Sequence, residues 1–188
     1  FTPGRGGTEW CARRLLARLL CALYRANDAV LVHSGTQALE LAIRCALRLA
    51  GGQGVVALPA YSCYAVAAAA VGAGARCALY DVHPATLAPD LDSLTALLAE
   101  GARVVVIAPL YGGPVDWGAV EQCLGAFGAI AIEDAAQGHG ALWRGTPLGS
   151  FGALSVLSFG RGKGGTGARG GALLVRRWPA DAEAARAR

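Results

Sequence analysis

Short apolar runs alternate with longer stretches of helical periodicity along most of this sequence. The runs have apolar centres rich in Val, Ile, Leu and Ala, and they lie at 29–32, 55–58, 76–81, 103–108, 129–132 and 153–157. The stretches between them repeat apolar residues every three or four positions, as in L-x-x-L-x-x-L-L at 91–98. Buried strands that alternate with helices indicate a mostly parallel sheet with helices on both faces. The pattern therefore predicts a three-layer α/β fold.

Local signals set the expected boundaries of the helices. Leucines between residues 9 and 26 recur at helical spacing and would form one apolar face, at positions 15, 16, 19, 20 and 23. Ser34 and Gln37 form a capping box, which predicts a helix that starts at this point and runs to about Leu49. Further helices are expected after Tyr64, at 90–99 and at 116–127.

Polar residues follow several of the predicted strands directly. They occur at 34–36, 61–64, 111–112, 133–137 and 158–163. Since ligands of parallel α/β sheets bind beyond the carboxyl ends of the strands, these residues are expected to share one edge of the sheet. The helix that begins at Ser34 would also present unpaired N–H groups to an anion such as phosphate, although capping alone accounts for Ser34 and Gln37.

Lys163 is the only lysine among 17 basic residues, the others being arginine. A lysine amine can lose its proton and form a Schiff base, whereas arginine stays protonated. An arginine-rich codon bias would also leave a single lysine. Together with the carboxylate of Asp134 and the helix N-terminus at Ser34, however, Lys163 completes what a pyridoxal phosphate site needs: an amine, a partner for the pyridinium nitrogen and a phosphate anchor.

Composition excludes several classes of protein. Of the 188 residues, 54% are hydrophobic and 16% are charged, which is typical of a folded chain with a large core and not of a disordered one. The net charge of +4 comes from scattered arginines without a basic block, so nucleic-acid binding is not expected. The six cysteines form no C-x-x-C pair, which indicates reduced thiols of a cytosolic protein and no metal site. The uncharged stretch 49–75 holds five glycines and a proline, so we expect a buried strand and helix there and no membrane span.

Seven segments keep the order of motifs known from one family of enzymes. They are S-G-T-Q-A-L-E-L at 34–41, L-P-A-Y at 58–61, G-A-R-C-A-L-Y-D-V-H-P-A-T at 74–86, P-L-Y-G at 109–112, I-E-D-A-A-Q-G-H-G-A at 132–141, G-S-F-G at 149–152 and S-F-G-R-G-K at 158–163. The combination of E-D-A-A-Q with the later S-F-x-x-x-K is the most specific of them. From about Arg18 to Val175 the chain resembles the DegT/DnrJ/StrS family, sugar aminotransferases of fold type I that use pyridoxal phosphate.

The resemblance implies a role for each residue of the expected site. Lys163 would bind the cofactor covalently and move the substrate's α-proton, and Asp134 would keep the ring nitrogen protonated. Gln137 would bind the phenolate oxygen of the cofactor. The cofactor's phosphate would be held by Gly35, Thr36 and Ser158.

Five positions depart from the family's pattern, namely Cys63, His83, Pro109, Gly164 and Arg169. Members usually carry an aromatic ring that stacks on the cofactor where this chain has Cys63, so either this thiol or a neighbouring tyrosine, Tyr61 or Tyr64, would pack against the ring. Arg169 replaces an acidic residue in the glycine-rich run. His139 could approach the site or could equally be a packing residue.

The activity implied by the resemblance is transfer of an amino group from glutamate to a keto-sugar, expected to be nucleotide-linked, in amino-sugar biosynthesis. A homodimer in the cytoplasm is expected. A sugar dehydratase of the same group is an alternative, although such enzymes usually carry histidine where this chain has Lys163. A non-catalytic regulatory or binding relative is another, and the presence of both Asp134 and Lys163 argues against it.

The sequence is expected to divide into three parts. These are an N-terminal helical segment at 1–28, a cofactor-binding large domain at 29–178 and the start of a truncated C-terminal region at 179–188. The lack of any methionine and the helical pattern at 180–188 indicate a piece of a longer chain.

Overall fold

The structure, a computed structural model, describes residues 5–52, 54–113, 115–165 and 167–179. The helical pattern expected at 180–188 lies outside the described residues. Within them the chain forms five α-helices: α1 Arg5–Tyr24, α2 Gly35–Leu49, α3 Tyr64–Gly72, α4 Leu91–Ala99 and α5 Trp117–Ala126. None of these helices combines the length and the apolar character needed to cross a bilayer.

Seven strands form one sheet in the order β1-β9-β8-β5-β4-β2-β3. Their bounds are β1 Asp28–Val32, β2 Val55–Pro59, β3 Arg76–Tyr80, β4 Ala102–Ile107, β5 Ile130–Asp134, β8 Leu154–Ser158 and β9 Gly171–Val175. Only β9 runs against its neighbours β1 and β8, and the other pairs between strands are parallel. Two short strands, β6 Leu142–Trp143 and β7 Thr146–Pro147, form a separate hairpin. The predicted mostly parallel sheet is confirmed.

Both faces of the sheet are covered by helices. Successive side chains of each strand point to opposite sides, so each strand contributes apolar residues to both faces. In β4, Val104 and Val106 belong to the same buried cluster as apolar residues of α2 and α3. Val105 and Ile107 belong to the cluster on the other face, which contains residues of α4 and α5. Residues 104–107 of β4 are therefore apolar on both faces of the sheet, and the predicted three-layer arrangement is confirmed.

The capping box at the start of α2 is present with one difference from the usual pattern. The N–H of Gln37 donates to Oγ of Ser34 at 3.1 Å, as predicted. The Gln37 Oε1 atom accepts from the N–H of His33 at 3.0 Å, one residue before the capping serine. The hydroxyl of Ser34 is thus used by the helix itself.

The helix predicted at 9–26 is present as α1, but most of its leucines are exposed. Leu15, Leu19 and Leu23 are 59%, 58% and 56% exposed, whereas Leu20 and Tyr24 are buried. The buried side of α1 packs on β8 and β9 in a cluster that includes Leu157, Ala172 and Leu174. Helical spacing alone predicted the stripe of leucines, but the sheet contacts a neighbouring stripe.

Strand β9 was not predicted, because it directly follows a glycine-rich run. Its first residue, Gly171, lies against the backbone of Ser34, and a Cβ at this position would come within 2.6 Å of the Ser34 carbonyl. Glycine therefore permits the close approach that β9 makes to the start of α2. Because β9 is antiparallel, it begins at the edge where its neighbours end, and this brings the glycine-rich run to the carboxyl edge of the sheet.

A buried polar network joins β5 to the segment that precedes β8. Glu133 is fully buried, and its carboxylate accepts hydrogen bonds from the N–H groups of Gly149 at 2.7 Å and Phe151 at 2.8 Å. The Ser155 hydroxyl donates a third, at 3.3 Å. Arg176, just after β9, donates to Oγ of Ser155 at 2.8 Å and to carbonyl oxygens of Tyr24, Gly149, Phe151 and Gly152. The network connects α1, β5, β8 and the end of β9.

Stability is expected to fall between pH 5 and pH 8 because of Glu133. Burial raises the pKa of Glu133 from its usual 4.5 to about 7, against the opposing effect of its hydrogen bonds and of Arg176. The folded state then holds a proton that the unfolded state releases, so this contribution is complete below pH 4.5 and is lost as the pH rises through 7. A shift of this size corresponds to about 3 kcal/mol. Urea unfolding of the full-length protein at pH 5 and at pH 8 measures this difference in the free energy of unfolding.

The Glu133→Gln variant should lose most of this pH dependence, because an amide does not ionise. Glu100→Gln is the matched control, since Glu100 lies exposed at the end of α4 and should leave the pH dependence unchanged. Identical dependence on pH in the wild type and in both variants would contradict the assignment to Glu133.

Candidate active site

A pocket of about 370 Å³ opens at the carboxyl edge of the sheet. Its walls come from the turn between β1 and α2, the start of α3, the ends of β4, β5 and β8, and the glycine-rich run before β9. These segments meet because parallel strands end at a common edge, which is where α/β sheets bind ligands.

All but one of the predicted site residues line this pocket. The lining includes Gly35, Thr36, Cys63, Asp134, Gln137, Ser158 and Lys163. Tyr61 does not line it, and its side chain is 56% exposed, so its contact with a cofactor stays a prediction. The chain turns after β2 so that Cys63, the residue that precedes α3, reaches the pocket, while Tyr61 and Tyr64 are turned to solvent.

The N-terminus of α2 forms one wall of the pocket. The hydroxyl of Ser34 caps the N–H of Gln37, but the N–H groups of Gly35 and Thr36 have no hydrogen-bond partner among the described residues. A Cβ at Gly35 would lie 2.8 Å from the Cβ of Ser158, so glycine allows this serine to approach the first turn of the helix. The free N–H groups, the hydroxyls of Thr36 and Ser158 and the positive end of the helix dipole make this wall a suitable place for an anion.

Asp134 stands at the carboxyl end of β5, and its side chain is half-buried. Its Oδ1 atom accepts a hydrogen bond from the N–H of Ala136 at 3.1 Å. Burial raises the pKa of Asp134, an effect that the Ala136 hydrogen bond and the positive charge of Lys163 oppose. A carboxylate that has lost water in this way is stabilised by any further cation or N–H donor placed beside it.

The amide of Gln137 has a fixed orientation. Its Oε1 atom accepts a hydrogen bond from the backbone N–H of Tyr111 at 2.8 Å. The Tyr111 backbone adopts a left-handed conformation, with φ of 56°, within a short 3₁₀ turn at Leu110–Gly112. Because the amide oxygen is engaged, its NH₂ group is the part of Gln137 that can donate to a ligand.

The loop that carries Lys163 rests on His139. The imidazole has edge contacts with the rings of Tyr24 and Phe159, at centroid distances of 5.9 Å and 6.1 Å. Side chains at Gly164 and Gly165 would overlap with His139, so these two residues lie flat against it. His139 is therefore a packing residue beneath the loop and does not line the pocket.

The family model for the DegT/DnrJ/EryC1/StrS aminotransferase family matches residues 11–187. The chain belongs to this family. The match covers the six segments that form the pocket and the buried network beneath them.

Two relatives illustrate the range of this family. The chain is 32% identical over 164 residues to an L-glutamine:2-deoxy-scyllo-inosose aminotransferase of Streptomyces kanamyceticus, a match that covers 87% of the chain and 38% of the relative. It is 35% identical over 133 residues to a dTDP-4-dehydro-2,3,6-trideoxy-D-glucose 4-aminotransferase of Saccharopolyspora spinosa, covering 71% of the chain and 34% of that protein. The chain thus spans less than half the length of these relatives.

Solved structures of similar proteins have the same fold. The PLP form of Spr1654 from Streptococcus pneumoniae superposes with a TM-score of 0.78 at 26% identity. The superposition covers 92% of the chain and 48% of Spr1654. The expected large domain of a fold type I enzyme is therefore present in the described residues.

Several lining residues were not predicted from the sequence as site residues. His33, Pro109 and Arg169 are among them. His33 ends the run of residues that starts with β1, and Pro109 follows β4, so the rule that ligands bind beyond the ends of parallel strands could have identified both. The same rule could not identify Arg169. Its position at this edge of the sheet depends on strand β9, which the sequence did not predict.

Replacing Gly164 with alanine should disturb the loop that carries Lys163. The new methyl group would overlap with the backbone of His139, so the loop or the histidine must move, at a cost of about 1–3 kcal/mol. Gly160→Ala is the matched control in the same loop, because its nearest atom, Oγ of Ser158, would be 3.5 Å away. Thermal unfolding of the full-length variants measures the difference. Equal midpoints for the two variants would contradict the packing described for this loop.

Proposed function

We propose that the protein of which this chain forms part is a pyridoxal phosphate-dependent aminotransferase that converts a ketone of a sugar or a sugar-like cyclitol to an amine. The main support is the presence of Lys163, Asp134 and Gln137 in one pocket beside the N-terminus of α2. An amine, a carboxylate and a fixed amide donor are three functions that this chemistry requires of the protein.

The residues present fit pyridoxal phosphate. Asp134 offers a carboxylate to the ring nitrogen, and the NH₂ group of Gln137 offers a donor to the phenolate oxygen. The unpaired N–H groups of Gly35 and Thr36 and the hydroxyl of Ser158 offer donors to the phosphate. Since Gly35 has no side chain, the space between α2 and Ser158 remains open to such a group.

When bound, pyridoxal phosphate supplies an aldehyde carbon that condenses with amines and a ring that withdraws electrons from the attached amino acid. Lys163 would hold this group through its amine. After a substrate amine has displaced it, the Lys163 amine would take the proton from the substrate's α-carbon and deliver it to the former aldehyde carbon of the cofactor. The loop on His139 keeps this amine at the pocket wall throughout.

Asp134 would act through its negative charge. Its carboxylate has lost water on burial, so a protonated ring nitrogen would satisfy it and would itself be stabilised. Cys63 forms part of the wall at the start of α3, and we infer that it gives one ring face a polarisable thiol contact in place of an aromatic ring.

The relatives' names support the substrate class. They name a keto-inosose and a nucleotide-linked keto-sugar as acceptors, and one of them names L-glutamine as the amino donor. We therefore propose L-glutamine, with the glutamate expected from the sequence as the second donor to test. Lysine at position 163 favours amino transfer over sugar dehydration. A homodimer in the cytoplasm is part of the same proposal for the full-length protein.

The first test is whether Lys163 binds the cofactor covalently. Full-length protein treated with pyridoxal phosphate and borohydride should carry the label on the peptide that contains Lys163, as measured by mass spectrometry. Lys163→Arg keeps the positive charge but cannot form the bond, so it should carry no label at this position and show no transaminase activity. A Lys163→Ala enzyme with wild-type turnover would overturn the proposed function.

A second test concerns the charge of Asp134. Asp134→Asn keeps the size of the side chain and removes its charge, so turnover should fall by about 10²-fold or more, as for the loss of one preorganised electrostatic partner. Asp90→Asn is the control, because Asp90 caps α4 at the far edge of the sheet and asparagine caps equally well. Steady-state kinetics compares the two. Unchanged turnover with weaker cofactor binding would make Asp134 only an anchor.

A further inference from the structure

Arg169 is a cation at the pocket wall without a function in the scheme above. It lines the pocket, its side chain is exposed, and it makes no hydrogen bond or ion pair with any of the described residues. Most arginines at a protein surface need no explanation. This one is different because it lines the pocket for which we propose a cofactor.

The backbone fixes Arg169 beside the first turn of α2. The next residue, Gly170, donates its N–H to the carbonyl oxygen of His33 at 3.0 Å and accepts from the N–H of Phe159 at 3.0 Å. Gly170 also forms a bridge with Ser34, the capping residue of α2. The residue before, Ala168, has a φ of +67°, which is unfavourable for a residue with a side chain and marks a tightly constrained turn. Arg169 is thus held where β1, β8 and β9 meet the helix N-terminus.

The charges around the pocket are unequal. Among the residues that the structure describes, the lining contains two cations, Lys163 and Arg169, and a single carboxylate, that of Asp134. The positive end of the α2 dipole adds to the excess. Once Lys163 is engaged with a carbonyl group, Arg169 is the remaining full positive charge in the lining.

The hydrogen-bond donors near Arg169 outnumber those that the two oxygens of a ligand carboxylate would need. They comprise the free N–H groups of Gly35 and Thr36, the hydroxyls of Thr36 and Ser158, and the guanidinium itself. A phosphate ester has three oxygens that can accept several hydrogen bonds each. Arginine matches two of these oxygens with two parallel N–H groups, in a geometry that lysine lacks.

We propose that Arg169 is a recognition residue for a phosphate ester in this pocket. The inference rests on the proposed function, and the phosphate belongs either to pyridoxal phosphate or to a nucleotide-linked acceptor. Arg169 determines the affinity for the phosphorylated ligand and takes no part in bond making.

The test measures binding of pyridoxal phosphate and of pyridoxal, which lacks the phosphate, to full-length wild-type, Arg169→Gln and Arg169→Lys proteins. Arg161→Gln is the matched control, because Arg161 lies exposed in the same loop but does not line the pocket. If the cofactor supplies the phosphate, Arg169→Gln should weaken binding of pyridoxal phosphate by about 10- to 100-fold and binding of pyridoxal by less than about 3-fold. Arg169→Lys should retain part of the preference, and Arg161→Gln all of it.

A kinetic experiment distinguishes the second source of phosphate. At saturating pyridoxal phosphate, KM is measured for a nucleotide-linked keto-sugar and for an unphosphorylated keto-cyclitol. If the acceptor supplies the phosphate, Arg169→Gln should raise KM for the nucleotide-linked acceptor alone by about 10-fold or more and leave kcat nearly unchanged.

Either selective loss supports the inference. If wild-type protein binds pyridoxal phosphate and Arg169→Gln matches Arg161→Gln in both experiments, the inference is overturned and the proposed function stands. A wild-type protein that binds no pyridoxal phosphate would overturn the proposed function, and this inference with it. Equal thermal midpoints of the Arg169 and Arg161 variants would show that the comparison is made between folded proteins.

Discussion

The buried carboxylate of Glu133 is the interaction on which the geometry of the pocket depends. A buried charge without partners is costly, so the N–H groups of Gly149 and Phe151 and the hydroxyl of Ser155 must stay in place to satisfy it. Because neighbouring residues of a strand face opposite sides, the same network that holds Glu133 directs Asp134 into the pocket. Arg176 extends the network to α1 and to the end of β9, so strands far apart in sequence share one polar centre.

The order of the elements could be predicted from the sequence because strands covered on both faces are apolar throughout. The helix cap at Ser34 is a short-range signal and appears in the structure as predicted, and Asp90 and Asp116, the first residues of two predicted helices, cap those helices. The buried face of α1 could not be predicted, since Leu19 and Leu20 have the same local pattern and only contact with the sheet separates them. The antiparallel strand β9 was missed because its pairing depends on residues of β1 and β8 that are distant in sequence.

The site could be predicted as a set of residue types but not as an arrangement. Asp134, Ser158 and Gln137 could be identified because they follow predicted strands. Lys163 could be identified because it is the only lysine in the sequence. The sequence could not show that Cys63 and not Tyr61 lines the pocket, because a turn of few residues decides which side chain enters it. The sequence also could not show that the oxygen of Gln137 is engaged by Tyr111, a contact that determines which end of the amide meets a ligand.

The pairing of β1 with β9 has a consequence for how the protein is made. Within the described sheet β1 is an edge strand, and its only partner is β9, with Val30 opposite Leu173. A ribosome that adds residues in order releases β1 long before β9, at an interval on the order of ten seconds. During that interval the first strand and α1 have no sheet to join, while β2 to β5 can already assemble in parallel. The first edge of the sheet is therefore completed only after β9 has been made, and until then β1 remains a strand without its partner.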